Sequence, residues 1–229
     1  MKRHIKKLAA SKSWPILRRD NIFVTRPYPG GHSFELGTSM NVILKDLLKL
    51  APTSREVKKM LLGHDILADN VRRKEPKFLV GLFDTLAIEK TDSYYRISLN
   101  KNGKILAVPI KKEEAGIKPC KIAGKSVLKG GKIQLNMSDG KNIIAEKGSY
   151  KTGDTLMLSL PDKSIRKHLK LDKNAVIFLT GGKHIGETGT VKNIINDRIT
   201  YKNESGEMVE TLKKYAFVVG EEKPEVTLG

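Results

Sequence analysis

Before residue 30 the chain sets eight cations, Lys2, Arg3, Lys6, Lys7, Lys12, Arg18, Arg19 and Arg26, against one acid, Asp20. It then runs into Pro27-Tyr28-Pro29-Gly30-Gly31. Two prolines within three residues remove backbone donors and fix φ, so this stretch is neither a helix nor a central strand. With Pro15 as well, the first 40 residues cannot form one long amphipathic helix lying on a membrane. The apolar residues here are few: Ile5, Leu8, Trp14, Ile16, Leu17 and Phe23. A segment this poor in apolar surface buries little by itself. It is expected to order against a partner rich in phosphate, with Trp14 as its anchor in a core.

The rest of the chain shares the imbalance. Its 229 residues carry 43 Lys and Arg against 25 Asp and Glu, a formal charge of +18. Such an excess opposes compaction through self-repulsion, and a large polyanion is the partner that relieves it by releasing its counterions. Aromatic residues make up only 6%. That favours several small cores over one large one, and argues against binding single strands mainly by stacking. The single cysteine, Cys120, can build neither an internal disulfide nor a Cys-rich zinc site, and fits a small buried residue. No apolar run approaches the roughly 20 residues that span a bilayer, and Leu8-Ala9-Ala10 is too short for a signal-peptide core, so a soluble protein is expected. His4, His32, His64, His168 and His184 fall in separate parts of the chain with no His-x-x-His spacing. No catalytic residue, metal ligand, cofactor or small-molecule substrate is therefore assigned.

Helical spacing appears in one region. Val42, Ile43, Leu44, Leu47, Leu48 and Leu50 predict a helix over 41–50, stopped by Ala51-Pro52. Thr53-x-x-Glu56 matches a capping box and predicts a second helix to about Leu62, with Val57, Met60 and Leu61 inward and Gly63 at its end. Arg55, Lys58 and Lys59 then fall on its exposed face. Asp69-Asn70 reads as a tight turn before Val71-Arg72-Arg73-Lys74. From Phe78 onward short alternating runs predict antiparallel strands: 85–88, 95–99, 105–108, 132–136, 141–144 and 155–160, with turns at Asn102-Gly103 and Asp139-Gly140. Five more, near 175–179, 190–195, 198–201, 208–212 and 216–219, predict a small barrel. The tail from Glu221 is acidic and expected to be mobile.

Three motifs carry resemblances. Ser54-Arg55-Glu56-Val57-Lys58-Lys59-Met60-Leu61 with Arg72-Arg73-Lys74 resembles the alpha-L RNA-binding domain, over roughly residues 41–90. Gly182-Lys183-His184-Ile185-Gly186-Glu187-Thr188-Gly189-Thr190-Val191, following an apolar strand, resembles the KOW motif. Glycines 182, 186 and 189 permit positive φ there, and their amides can approach phosphate. No Gly-Lys-Ser/Thr frame and no crossover helix accompany them, so neither a Walker loop nor a dinucleotide site is read. Finally, His4-x-Lys6-Lys7-Leu8-Ala9-Ala10, Trp14 and Arg26-Pro27-x-Pro29-Gly30-x-His32 resemble the N-terminal signature of ribosomal protein S four of the eukaryotic and archaeal type.

That last resemblance spans nearly the whole chain. It implies a multi-domain α+β protein: a basic arm (1–40), an alpha-L domain (41–92), a β-rich central domain (93–168), a KOW β-barrel (169–220) and an acidic tail (221–229). It also implies a structural, non-enzymatic component of the cytoplasmic small ribosomal subunit, with small-subunit rRNA and neighbouring ribosomal proteins as partners. The expected rRNA-binding residues are the eight arm cations and His32, then Arg55, Lys58, Lys59, Arg72, Arg73, Lys74, Lys77 and Lys183. Two alternatives stand beside it: an RNA-modifying enzyme with an appended alpha-L domain, and a transcription factor using its KOW barrel. The first needs a large catalytic domain, which the short β modules after residue 90 do not supply.

Overall fold

A computed structural model describes residues 4–63, 66–145 and 148–229; Lys2, Arg3 and His64 lie outside them. The fold is mixed but strand-rich, with few helices and several antiparallel sheets. It divides into two compact units. The first holds residues 1–99, 103–116 and 228–229; the second holds residues 100–102 and 117–227. Among the described residues, no helix is long and apolar enough to cross a membrane.

In the first unit the N-terminal segment is ordered by the protein itself, contrary to the expectation that it awaits a partner. Its strand Ile5–Lys6 pairs with Phe23–Val24, and Gly37–Ser39 pairs with Leu79–Gly81. Backbone bonds run from Ile105 to the Ser13 carbonyl (2.8 Å) and from Tyr28 to the Lys77 carbonyl (2.8 Å). The segment succeeds with few apolar residues because Trp14 does most of the burial. It is 2% exposed, and its indole N–H donates to the carbonyls of Phe34 (2.8 Å) and Gly37 (2.9 Å). Of the segment's other apolar residues, Leu8, Leu17 and Phe23 are exposed.

Ser39 caps the first helix, its hydroxyl accepting from Val42. The helix starts at Met40 and widens into a π turn over Ile43–Leu47, with Leu48 donating to the Ile43 carbonyl. It ends earlier than 50, because Lys49 takes φ 53 and turns the chain, which leaves Leu50 in solvent. The second helix spans Ser54–Gly63. Thr53 caps it through its hydroxyl and the Glu56 amide (3.3 Å), and Val57 and Leu61 are buried while Met60 is half-buried. A five-stranded sheet follows, in the order Val71–Arg72, Ile66–Ala68, Thr85–Ile88, Ser93–Leu99, Ile105–Pro109. Asp69 (φ 52) and Asn70 (φ 57) both sit in the left-handed region, which a two-residue hairpin of this twist requires. Beyond the sheet the short helix Lys112–Ala115, which no periodicity announces, brings Glu114 to Arg96.

The second unit contains two five-stranded sheets. The first has the order Asn142–Ala145, Ile133–Met137, Ile117–Val127, Thr155–Ser159, Ile165–Leu169. Its centre, Ile117–Val127, has no clear sequence signal, because Pro119 and Gly124 interrupt it. The structure shows how both are tolerated. Residues 117–121 pair with 155–159 on one flank, and residues 122–127 pair with 133–137 on the other, with a bulge between Ile122 and Gly124. Ile122 donates to Asp154 on the first flank, so Pro119, in the opposite alternation, points its missing donor away from that ladder. Cys120, Ile122, Leu135, Met137, Leu156 and Leu158 form the core here. The other sheet has the order Met208–Leu212, Arg198–Asn203, Thr188–Ile195, Val176–Leu179, Ala216–Gly220. The acidic tail is not free. Glu225 donates its amide to Val219, Lys167 reaches its carboxylate (2.5 Å), and Val226 and Leu228 are buried.

Within this core Lys118 is 1% exposed and lies 3.1 Å from Asp139, which Lys141 also approaches (3.3 Å). Burial pushes the Asp139 carboxyl up, but the two ammonium groups outweigh it and hold the group below the usual aspartate range. A carboxylate more acidic in the fold than in the unfolded chain stabilises above its unfolded pKa, and that stabilisation is lost as pH falls through the folded value. The gap in thermal midpoint between wild type and Asp139→Asn is therefore expected to be widest near neutrality and to narrow below about pH 4. A gap constant from pH 7 to pH 2 counts against this reading.

Candidate nucleic-acid interface

The helix Ser54–Gly63 turns one face inward through Val57 and Leu61, and this geometry fixes the other face. Arg55, Lys58 and Lys59 all lie exposed on it. The Arg73 amide closes the hairpin that follows by donating to the Ile66 carbonyl (3.0 Å), and the hairpin is tied back to this helix where Arg72 reaches the Leu62 carbonyl at 3.5 Å. Arg72 and Lys74, both exposed, thus extend the helix's basic face. A rigid helix and a two-residue hairpin hold these charges in a fixed array, the arrangement suited to gripping a run of phosphates.

The remaining expected site residues divide by what they touch. Arg73 is half-buried, its guanidinium 4.3 Å from the Phe78 ring centre. Lys77 holds its ammonium 5.4 Å from the Tyr28 ring centre, on the strand of contacts that secures the N-terminal segment. Arg26 stacks at 5.7 Å over Phe34. Lys6, Lys12 and Arg19 are exposed. Lys7 is only 4% exposed and faces Asp20 at 3.4 Å. Arg18 is an internal staple: Nη1 donates to the carbonyls of Lys7 (3.2 Å) and Ala10 (3.1 Å), and Nη2 to that of Ser11 (2.8 Å). His32 packs against Gly81 and bonds Asp84 at 3.1 Å, while Asp84 accepts the Gly81 amide. These three positions therefore shape the segment rather than project from it. The reason is local: the segment has few apolar side chains, so Arg18 satisfies its backbone while Lys7 and His32 pair with the carboxylates of Asp20 and Asp84.

Sequence reasoning passed over the exposed aromatics of this segment. Phe23 meets His4 edge-on at 5.4 Å, and Tyr28 stands half in solvent beside Lys77. Their alternation with cations was the available signal.

Lys183 lies in the second unit, exposed on the glycine-rich loop between Val176–Leu179 and Thr188–Ile195. Gly182 (φ 88) and Gly186 (φ 80) take the expected left-handed conformations. Gly189 does not. It lies in the strand, where a Cβ would collide with the Tyr201 ring and the Lys202 carbonyl, so it serves close packing. Tyr201 is buried and its hydroxyl reaches Glu187 (3.5 Å); burial and that carboxylate push its pKa up to about 12. His184 bonds the same Glu187 at 3.1 Å, so the acid of this loop is turned inward and Lys183 outward.

Comparison with known proteins places these features beside a known group. A family model described as "Ribosomal family S4e" matches residues 91–165, and one described as "RS4NT (NUC023) domain" matches residues 1–35. The chain is 38% identical over 240 residues to the small ribosomal subunit protein eS4 of Methanococcus vannielii, covering 99% of this chain and 98% of that protein. It also matches the eS4 proteins of Methanocaldococcus jannaschii (38% identity, 99% and 98% covered) and Methanocella arvoryzae (39%, 97% and 96%). Among solved structures, the 30S ribosomal protein S4e from Thermoplasma acidophilum superposes with a TM-score of 0.72 at 29% identity, over 81% of this chain and 96% of that one.

Proposed function

This chain belongs to the ribosomal S4e family of small-subunit proteins, and from that premise we propose that it binds small-subunit rRNA through its N-terminal segment and the helix–hairpin module. As a member of a family of ribosomal proteins it is a structural component, not an enzyme, and works in the ribosome in the cytoplasm. Its neighbours are rRNA and other small-subunit proteins. The observation that carries the RNA reading is the array of Arg55, Lys58 and Lys59 on one exposed helix face, extended by Arg72 and Lys74. Lys6, Lys12, Arg19 and, on the glycine loop, Lys183 add further phosphate contacts. Lys7, Arg18 and His32 contribute by holding the segment in shape, and Arg26, Arg73 and Lys77 by ring contacts with partial access to the backbone of RNA. Lys2 and Arg3, outside the described residues, are included as further phosphate contacts on their charge alone.

The division of labour follows the five segments expected from sequence. The matches over 1–35 and 91–165 support the first and third, an arm at 1–40 and a central domain at 93–168. The helix–hairpin of 41–92 acts as an alpha-L module. Within 169–220, the bulged five-stranded sheet that begins at Val176, with shifts at Val176/Ile177 and Val191/Asn193, acts as a curved KOW barrel. The acidic segment that begins at Glu221 folds back on its edge strand Ala216–Gly220, where the Glu225 amide donates to the Val219 carbonyl. The modifying-enzyme alternative needs a large catalytic domain after residue 90, where residues 91–165 match the ribosomal family model instead.

A salt titration tests the proposal. Full-length protein bound to purified archaeal small-subunit rRNA is expected to lose affinity linearly in log salt. Replacing Arg55, Lys58 and Lys59 together by Gln should lower that slope by about 2 to 3, at roughly 0.7–0.9 per phosphate contact. A wild-type titration without salt dependence, or a triple variant with the wild-type slope, would count against it.

A further inference from the structure

Between Ala115 and Ser138 the chain carries five lysines and no acidic residue. Two of the five are satisfied inside the second unit. Lys118 pairs with Asp139, and Lys121 donates to the carbonyls of Lys214 (3.0 Å) and Ala216 (2.6 Å). The other three, Lys125, Lys129 and Lys132, fall within eight residues at the free end of the hairpin built from Ile117–Val127 and Ile133–Met137. All three are exposed. Among the described residues none of them forms an ion pair; Lys125 reaches only the Tyr150 carbonyl, at 3.4 Å.

The tip is also sterically open. Gly130 (φ 81) and Gly131 (φ 73) make the turn, and a Cβ at either would meet nothing within 4 Å. Val127, beside the turn, is 73% exposed. A narrow ribbon with glycines at its end, three exposed ammonium groups that form no ion pair among the described residues and one small apolar side chain suits the wide, shallow minor groove of an A-form helix, whose rims are phosphates. A protein partner would have to supply acids for all three lysines, whereas a phosphate backbone supplies them by repetition.

We infer that the hairpin tip at residues 125–132 is a second RNA-binding element, in which Lys125, Lys129 and Lys132 contact the phosphates of a double-helical RNA segment. The inference rests on the ribosomal RNA-binding reading above and assigns to the central part of the chain a contact separate from the helix–hairpin face.

The test uses the full-length chain, purified archaeal small-subunit rRNA and the triple variant Lys125→Gln, Lys129→Gln, Lys132→Gln. Its thermal midpoint should stay close to wild type, because the three side chains are exposed and, among the described residues, only Lys125 makes a hydrogen bond, a long one to the Tyr150 carbonyl. The salt slope of binding is expected to fall by about 2 to 3 units. In the wild type, bound rRNA should protect Lys129 and Lys132 from acetylation, a readout independent of the variant's folding. An unchanged slope together with unprotected lysines overturns the inference while leaving the helix–hairpin result intact. A wild-type chain that shows no salt-dependent binding overturns the parent reading and this one together. Normal rRNA binding by the variant with failure to enter small subunits would assign the tip to a protein neighbour, and also overturns the RNA assignment.

Discussion

Trp14→Ala should destabilise the first unit by about 3–5 kcal/mol, the range for emptying a buried large aromatic site. For a chain of this size that corresponds to a fall in thermal midpoint of the order of 10 °C. The loss has two parts. The indole is the main apolar contribution of the N-terminal segment to the core, and its N–H serves two backbone carbonyls, Phe34 and Gly37, with one proton. Trp14→Phe keeps most of the area but leaves those carbonyls without their donor, and should cost about 1–3 kcal/mol. Function should follow structure here. Trp14 is buried away from any RNA, yet Trp14→Ala should weaken rRNA binding by loosening the segment that carries Lys6, Lys12 and Arg19. A Trp14→Ala protein with the wild-type midpoint and affinity would show that the segment is held by other means.

The second large effect is expected at Glu114. Arg96 is fully buried, and its guanidinium is met by the Glu114 carboxylate and, at 3.1 Å, by the Glu114 main-chain carbonyl. Burial lowers the arginine's affinity for its proton, and Glu114 works in the other direction. Glu114→Ala removes the carboxylate that meets this buried guanidinium and should lower stability by about 3–5 kcal/mol. Adding Arg96→Met in the same chain should recover most of that loss, since removing both charges removes the desolvation cost too. Urea unfolding of the single and double variants measures both. A double variant no more stable than Glu114→Ala alone would show that Arg96 matters through its packing.

The sequence revealed most where local chemistry and the final environment agree. Thr53 and Glu56 announced the second helix because a capped amphipathic turn needs nothing distant to define it. Asp69-Asn70 announced its hairpin because those residues tolerate positive φ. The strand Ile117–Val127 stayed hidden because its alternation is broken by Pro119 and Gly124, and its two halves answer to different neighbours. The helix Lys112–Ala115 stayed hidden because one turn carries no period. At the candidate interface, exposure was readable for Arg55, Lys58 and Lys59, whose helix phase fixes their direction. It was not readable for Lys7, Arg18 and His32. In irregular backbone nothing in the residue type says whether a cation meets solvent or a carbonyl, and the carbonyls that Arg18 gathers come from residues seven to eleven positions away.

One extra residue in the central strand carries a consequence for the hairpin tip. Before Ala123, even-numbered positions such as Cys120 and Ile122 point into the core. After it, the register sets odd-numbered Lys125 and Val127 opposite Leu135 and Ile133, so inside and outside exchange parity. Deleting Ala123 would reverse that exchange and carry Lys125 to the opposite surface of the ribbon. The side on which the tip's charge is displayed is thus set two residues upstream of Lys125, by an alanine that bears no charge itself.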